Sequence, residues 1–449
     1  MIRKRKYVGN YKEEKEMKKI LASALIACMS LSLLAGCGGS DNTNADAGNN
    51  AAVNTEAAGT TTEAVAATDV ALKVWCPQNQ IDTGLMAEQT AAFQALHPEW
   101  NITWTIEAVG EDNAKTEIMK DVEMAADVFF YANDQVVELV NAGAIARLGG
   151  AVEAMVNETI ASNVADTVKV DGALYGIPFT HNTFFMYYDK TIMTEEDVKT
   201  IEGIVNKETA DGVYNFYFES AGGWKLGAWY YGAGCSVYGP NGDDLAAGFD
   251  WNNETGVAVT NYLIDLIANP KVGYDGEITP SELVDEHRLG VWFSGSWDYQ
   301  LYKDKLGDNL GLAVIPTFNL NGTDHQLLSF YGSKCIGVNA RSKYPAAANA
   351  FAAFLGSEAQ QLVRFEKSGQ APTNLVAGEN EAVLADEVSK VLVAESNTAS
   401  VAQPTAAIFS NRYWANAGVI PTEIKNGNIT HDNVQEQMDK VAETMNLPE

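Results

Sequence analysis

The stretch from Ala71 to Ala108 constrains the fold most, because its apolar residues change period twice. Ala71-Leu72-Lys73-Val74-Trp75 reads as a strand. From Gly84 to Leu96, the residues Leu85, Met86, Gln89, Ala92, Phe93 and Leu96 share one side of a helix, and Ile102, Trp104, Ile106 and Ala108 then alternate as a second strand. Strand, helix and strand in that order make a β-α-β unit. Asp127 to Tyr131 is continuously apolar after its first residue, as a strand buried on both faces should be, and Gln135 to Ala142 follows as a helix stopped by Gly143. The first half of the chain is therefore expected to be an open α/β sheet, whose ligands sit beyond the carboxyl ends of the strands.

Three groups of residues fall at those ends. Trp75 is followed by Gln78, Asn79 and Gln80; Tyr131 by Asn133, Asp134 and Gln135; and Ile177-Pro178-Phe179 by His181 and Asn182. Each joins an aromatic or apolar strand to neutral hydrogen-bonding groups or one carboxylate. That mixture suits a polyhydroxylated ligand, since hydroxyls demand donors and acceptors while sugar C–H faces stack on rings. The theme recurs further on. Gly290 to Tyr299 reads as a short buried strand running into a Ser-Gly-Ser turn that presents Trp297 and Tyr299. Glu219 to Trp224 carries a Gly-Gly-Trp turn ahead of a helix with Trp229, Tyr230 and Tyr231, and Trp414 lies near the end. Core packing accounts for any one of these rings alone; the recurrence makes Trp224, Trp297, Tyr299 and Trp414 candidates. Elsewhere Gly256 to Ala268 reads as a surface helix, and Ser357 with Gln360 reads as a capping box for a helix closed by Gly369.

The leader is read apart from the fold. Ile20 to Leu34 is an apolar run too short to span a bilayer, preceded by Lys18-Lys19, which is the pattern of a secretory signal. It ends in Leu34-Ala35-Gly36-Cys37, which resembles the lipobox of bacterial lipoproteins. That resemblance implies that Cys37 becomes the lipidated N-terminus and holds the protein outside the cytoplasm on the cell membrane. Glu13, Glu14 and Glu16 are out of place in a basic leader, so translation is expected to start at Met17 rather than Met1. Residues 38–68 lack aromatics, Leu and Ile, and read as a flexible tether.

A net charge of −29 disfavours nucleic acid as a partner and favours a neutral or cationic ligand over an anionic one. Cys76, Cys235 and Cys335 are too scattered for a zinc site or a disulfide framework and are expected as buried free thiols. No metal or cofactor is expected, the five histidines being unclustered. A glycosidase would need two carboxylates about 5–10 Å apart. Asp134 and Glu219 are the candidate pair, and they are expected on opposite lobes. No nucleophile-elbow, zincin or P-loop motif is present, so the chain reads as a binder rather than an enzyme. His181 is open between a ligand contact and a hinge residue.

Taken together, Leu34 to Cys37, Asp127 to Asp134, Leu174 to Phe179, Gly290 to Asp298, Ala313 to Pro316 and Phe330 to Asn339 resemble the family 1 extracellular solute-binding proteins of ABC importers, and are similar to maltose and maltodextrin binders. The resemblance implies an α/β, two-lobed periplasmic-binding-protein-like fold with a hinge of crossing strands near Phe179 to Asn182, Tyr331 to Lys334 and Ala371 to Thr373. Lobe one would be 69–180 with 333–371, and lobe two 183–331 with 372–449. It implies a monomer that binds an oligosaccharide, malto-oligosaccharide first, and delivers it to membrane permease subunits; a β-linked oligosaccharide or a polyamine is the alternative solute. Trp297 and Trp414 fall where the maltose binders place stacking tryptophans, Tyr131 replaces another such ring, and Asp134 matches a carboxylate that binds hydroxyls. Asn79-Gln80, Gln135 and Asn182 stand where those binders carry charges, which implies a cleft with fewer charges.

Overall fold

The structure, a computed structural model, describes residues 67–447 apart from 220–221 and 275–277. The leader, Cys37 and all of the tether ahead of residue 67 lie outside the described residues. No described helix is long and apolar enough to cross a membrane.

The strands that position the site are β1 (Thr68–Cys76), β2 (Trp100–Ala108), β3 (Val128–Ala132), β4 (Ile177–Asn182), β5 (Phe185–Asp189), β6 (Tyr214–Phe218), β7 (Val272–Tyr274), β8 (Leu289–Ser294), β9 (Leu310–Ala313), β10 (Ser329–Val338) and β11 (Ser400–Ala402). The first sheet runs β11-β10-β3-β1-β2, with β4 also paired to β10; the second runs β9-β5-β8-β6-β7. β1 is parallel to both β2 and β3, as the β-α-β reading requires, with Leu85–Leu96 as the crossover helix. β2 alternates half-buried and exposed positions over most of its length, as an edge strand covered on one face does, whereas β3 is buried at every residue. Two strands of this sheet depart from the parallel pattern: β10 enters between β3 and β4 and is antiparallel to both, and β11 pairs in parallel with β10.

Each sheet has its own core. Val74, Phe93, Phe129, Phe351 and Leu355 pack around the first, and Phe216, Trp229, Trp251, Leu263 and Met438 around the second. Two lobes follow from this. The chain leaves the first sheet at Asn182 and enters the second at Phe185. Here the buried Thr183 hydroxyl meets the Ser329 hydroxyl at 2.9 Å, so the two crossing segments are tied to each other. A third segment joins them: Thr180 Oγ1 donates to the Ala371 carbonyl at 2.7 Å, and Thr373 Oγ1 donates to that of Pro178 at 2.9 Å. His181 belongs to this hinge. Its Nδ1 lies 2.5 Å from the Tyr331 hydroxyl, and burial pushes its pKa down to about 4.

The capping box expected at Ser357 does not form. Its hydroxyl donates back to the Phe354 carbonyl at 2.7 Å, and the helix Glu358–Ser368 starts without a side-chain cap. Gly369 does close that helix, in the left-handed conformation that glycine adopts without strain. The three cysteines are buried free thiols.

Glu395, buried beside the hinge, is expected to make the stability of the fold depend on pH. Fully buried on the helix Glu387–Thr398, it accepts from the Ile315 N–H at 3.0 Å and from the Ser329 hydroxyl at 2.8 Å. Burial raises its carboxyl from an ordinary 4.5 to about 8, against the pull of those two donors. The folded chain thus holds a proton that the unfolded chain releases, so this contribution to stability is complete below pH 4.5 and is lost as pH rises towards 8. Asp134, raised to about 7 by burial, adds in the same sense. Denaturation midpoints are expected to fall between pH 5 and pH 8, and Glu395→Gln to flatten that slope. An identical slope in the variant would exclude Glu395 as its source.

Candidate binding site

A cavity of about 890 Å³ opens where the carboxyl ends of β1, β2 and β3 approach the second lobe. The strand-end rule places its floor. Asn79 follows β1, Glu111 and Asp112 follow β2, and Asp134 and Gln135 follow β3. Asn182 ends β4, and Lys334 projects from β10. Trp224, Trp297, Gln403, Ser410 and Trp414 face them from the other side.

The rings are held by local packing. Trp297 sits in the turn Ser296–Asp298 just after β8, and Gly295 is needed there because a Cβ at that position would lie 2.0 Å from the indole. Trp224 lies 5.8 Å from Trp297, and its indole N–H donates to Gln403 Oε1 at 3.2 Å. Trp414, on the helix Ala407–Asn416, packs edge-on against Phe330 at 5.6 Å. The opposite wall offers acceptors. Glu111 Oε1, Asp134 Oδ1 and Gln370 Oε1 are buried without a hydrogen bond from a described residue. Burial raises the Asp134 carboxyl to about 7, while Lys115 and the neighbouring Trp414 indole pull it down. The two walls already touch: Ser410 Oγ donates to the Asp134 carbonyl at 3.2 Å, and the Lys334 ammonium lies 4.8 Å from the Trp297 ring centre. Such a cavity can stack a flat apolar face on indole rings while its oxygens accept hydrogen bonds from O–H or N–H groups.

Of the residues singled out from sequence, Asn79, Asp134, Asn182, Trp224, Trp297 and Trp414 are brought together around this cavity. Four are not. Gln80 is buried within the first lobe. Tyr131 is enclosed in the core, its hydroxyl 3.5 Å from the Tyr175 carbonyl and packed so tightly on Gly176 that no side chain fits there. Glu219 is turned to an ion pair with Lys225, so it does not join Asp134 as a second carboxylate. Tyr299 donates to Glu387 Oε1 at 2.5 Å, away from the cavity. The cleft is also not poor in charge: Glu111, Asp112, Lys115, Asp134 and Lys334 all line it. The first of these was findable, because the strand-end rule applied to β2 points to Glu111. The signal for Lys334 was one charge inside an apolar strand.

Behind Glu111, the fully buried Arg364 guanidinium stacks over Phe179 at 4.4 Å and Phe130 at 5.1 Å. Burial lowers its pKa to about 10, with Glu111 opposing the shift. Among the described residues no group of His, Cys, Asp and Glu is arranged to hold a metal ion.

Residues 88–390, about two thirds of the chain, match a family described as bacterial extracellular solute-binding protein. The galactooligosaccharide-binding protein of Bacillus subtilis (strain 168) is 26% identical over 340 residues, covering 71% of this chain and 76% of that protein. The maltooligosaccharide ABC transporter solute-binding lipoprotein of Streptococcus pneumoniae (strain ATCC BAA-255 / R6) is 26% identical over 265 residues, 56% of this chain and 60% of that one. A structure solved with acarbose is 36% identical and superposes with a TM-score of 0.79 over 84% of this chain and 98% of its own. Maltodextrin binding protein MalE1 from L. casei BL23, without ligand, shares the fold with a TM-score of 0.74 at 24% identity, over 84% of this chain and 99% of that one. By the extent of the family match and by its two-lobed fold, this chain belongs to the bacterial extracellular solute-binding proteins.

Proposed function

We propose that this chain is the substrate-binding component of a carbohydrate ABC importer, anchored to the membrane by lipid at Cys37, and that it captures an oligosaccharide without chemically altering it. The observation that carries the reading is the pairing of Trp224, Trp297 and Trp414 on one wall with the polar side chains of Glu111, Asp134 and Gln370 on the other. Sugar rings present C–H faces to the first and O–H donors to the second. The lobes, taken as 69–180 with 333–371 and 183–331 with 372–449, would close about the hinge, and the permease subunits would recognise the closed form. The relatives named for maltooligosaccharide support that sugar class first. The galactooligosaccharide-binding relative, matched over the longer stretch, supports the second candidate.

Calorimetric titration of the full chain with maltotriose, a galacto-oligosaccharide and spermidine, followed by chromatography of the recovered ligand, tests this. Saturable binding of either sugar, recovered intact, is expected. Binding of spermidine alone would discard the carbohydrate assignment, and cleaved sugar would replace the binder with an enzyme. Loss of the protein from the membrane fraction in Cys37→Ser tests the anchor.

A further inference from the structure

Lys334 is a cation in a strand that is otherwise mostly buried and uncharged, and its head group reaches the cleft. The Nζ lies 3.6 Å from Glu111 Oε2 and over the Trp297 ring, and its ammonium donates no hydrogen bond to a described residue. Glu111 is in the complementary condition. Its Oε2 faces Lys334, its Oε1 is buried with no donor among the described residues, and the guanidinium behind it stacks on two rings rather than bonding to it. An ammonium that makes no hydrogen bond to a described residue and a carboxylate oxygen that faces it thus sit side by side, next to the Trp297 indole.

We infer that Lys334 and Glu111 are a specificity-determining pair, which together hold one hydroxyl of a neutral sugar unit lying against Trp297. This rests on the carbohydrate reading above. A hydroxyl is the group that fits both partners, because it accepts from the ammonium through its lone pairs and donates its proton to Glu111 Oε2, the oxygen that faces Lys334. A carboxylate on the sugar is attracted by Lys334 but repelled by Glu111, and an ammonium on the sugar meets the reverse. Both charged units are therefore rejected relative to the neutral one, with attraction and repulsion working together. The ammonium now lying over Trp297 turns to the incoming hydroxyl, and the sugar takes its place on the ring.

The test compares the full chain with Lys334→Met and Glu111→Gln by calorimetry, using maltotriose, a galacto-oligosaccharide, a glucosamine trisaccharide and a galacturonate trisaccharide. Each variant is expected to lose tenfold or more in affinity for the neutral sugar that the parent binds, with melting temperature nearly unchanged. Lys334→Met should also narrow the gap between that neutral sugar and the glucosamine probe, and Glu111→Gln the gap to the galacturonate probe. A purely structural role would move neither gap. If Lys334→Met does not fold, Lys334→Gln carries the same comparison. Neutral-sugar binding by the parent with equal affinity in both variants overturns the pair and leaves the proposed function standing. A parent that binds neither neutral sugar overturns both.

Discussion

Trp251→Ala is expected to destabilise the second lobe by about 3–5 kcal/mol, the cost of removing a fully enclosed indole. The ring has no exposed surface; it lies flat on Tyr230 with centres 3.7 Å apart and planes 3° from parallel, and Tyr413 meets it edge-on at 5.6 Å. The surrounding chain cannot settle into the space easily. Gly256, whose helix starts just after Trp251, already sits so close that a Cβ there would lie 2.1 Å from the Trp251 carbonyl oxygen. Among the described residues the indole N–H has no hydrogen-bond partner, so truncation orphans no described acceptor and the loss is one of packing. Denaturant unfolding of parent and variant measures it: a lower midpoint at unchanged slope is expected, with ligand affinity of the folded fraction the same. A shift smaller than about 1 kcal/mol would mean that the lobe closes over the gap.

The contrast between Trp251 and Trp297 marks what the chain discloses in one dimension. Elements with a clear period were legible: the β-α-β unit, the unbroken apolar run of β3, and the helix Glu254–Ala268 stand as read. Facing was not always legible. In a strand buried on both sides, alternation carries no information, so nothing local told that Tyr131 turns into the core against Gly176. Neighbours on a helix point about 100° apart. In the short helix Gln78–Asp82 this sends Asn79 to the cleft and Gln80 to the interior, and five residues are too few to fix the phase from sequence. Glu219 and Tyr299 were drawn off by Lys225 and Glu387, partners six and 88 positions away. The first of these is local, but the second depends on how the helix Glu387–Thr398 docks, which no local pattern encodes.

Trp297→Ala is expected to weaken oligosaccharide binding at least tenfold, about 1.4 kcal/mol, while costing less stability than Trp251→Ala. Unlike Trp251 the ring is only half-buried, at the tip of a three-residue turn, and its contacts are Gly295 behind it, Trp224 beside it and Lys334 over it. Few core contacts are lost with it, but a stacking face of the second lobe disappears. The consequence for mechanism is larger than the affinity. Glu111 and Asp134 belong to the first lobe and Trp297 to the second, so a sugar that engages both holds the lobes together, and ligand shifts the equilibrium to the closed form only through contacts that the open form lacks. Small-angle scattering with and without maltotriose therefore separates two roles. If the ring links the lobes, saturating sugar should compact the parent more than the variant. Equal compaction with equal affinity would remove Trp297 from the site and leave closure to Trp224 and Trp414.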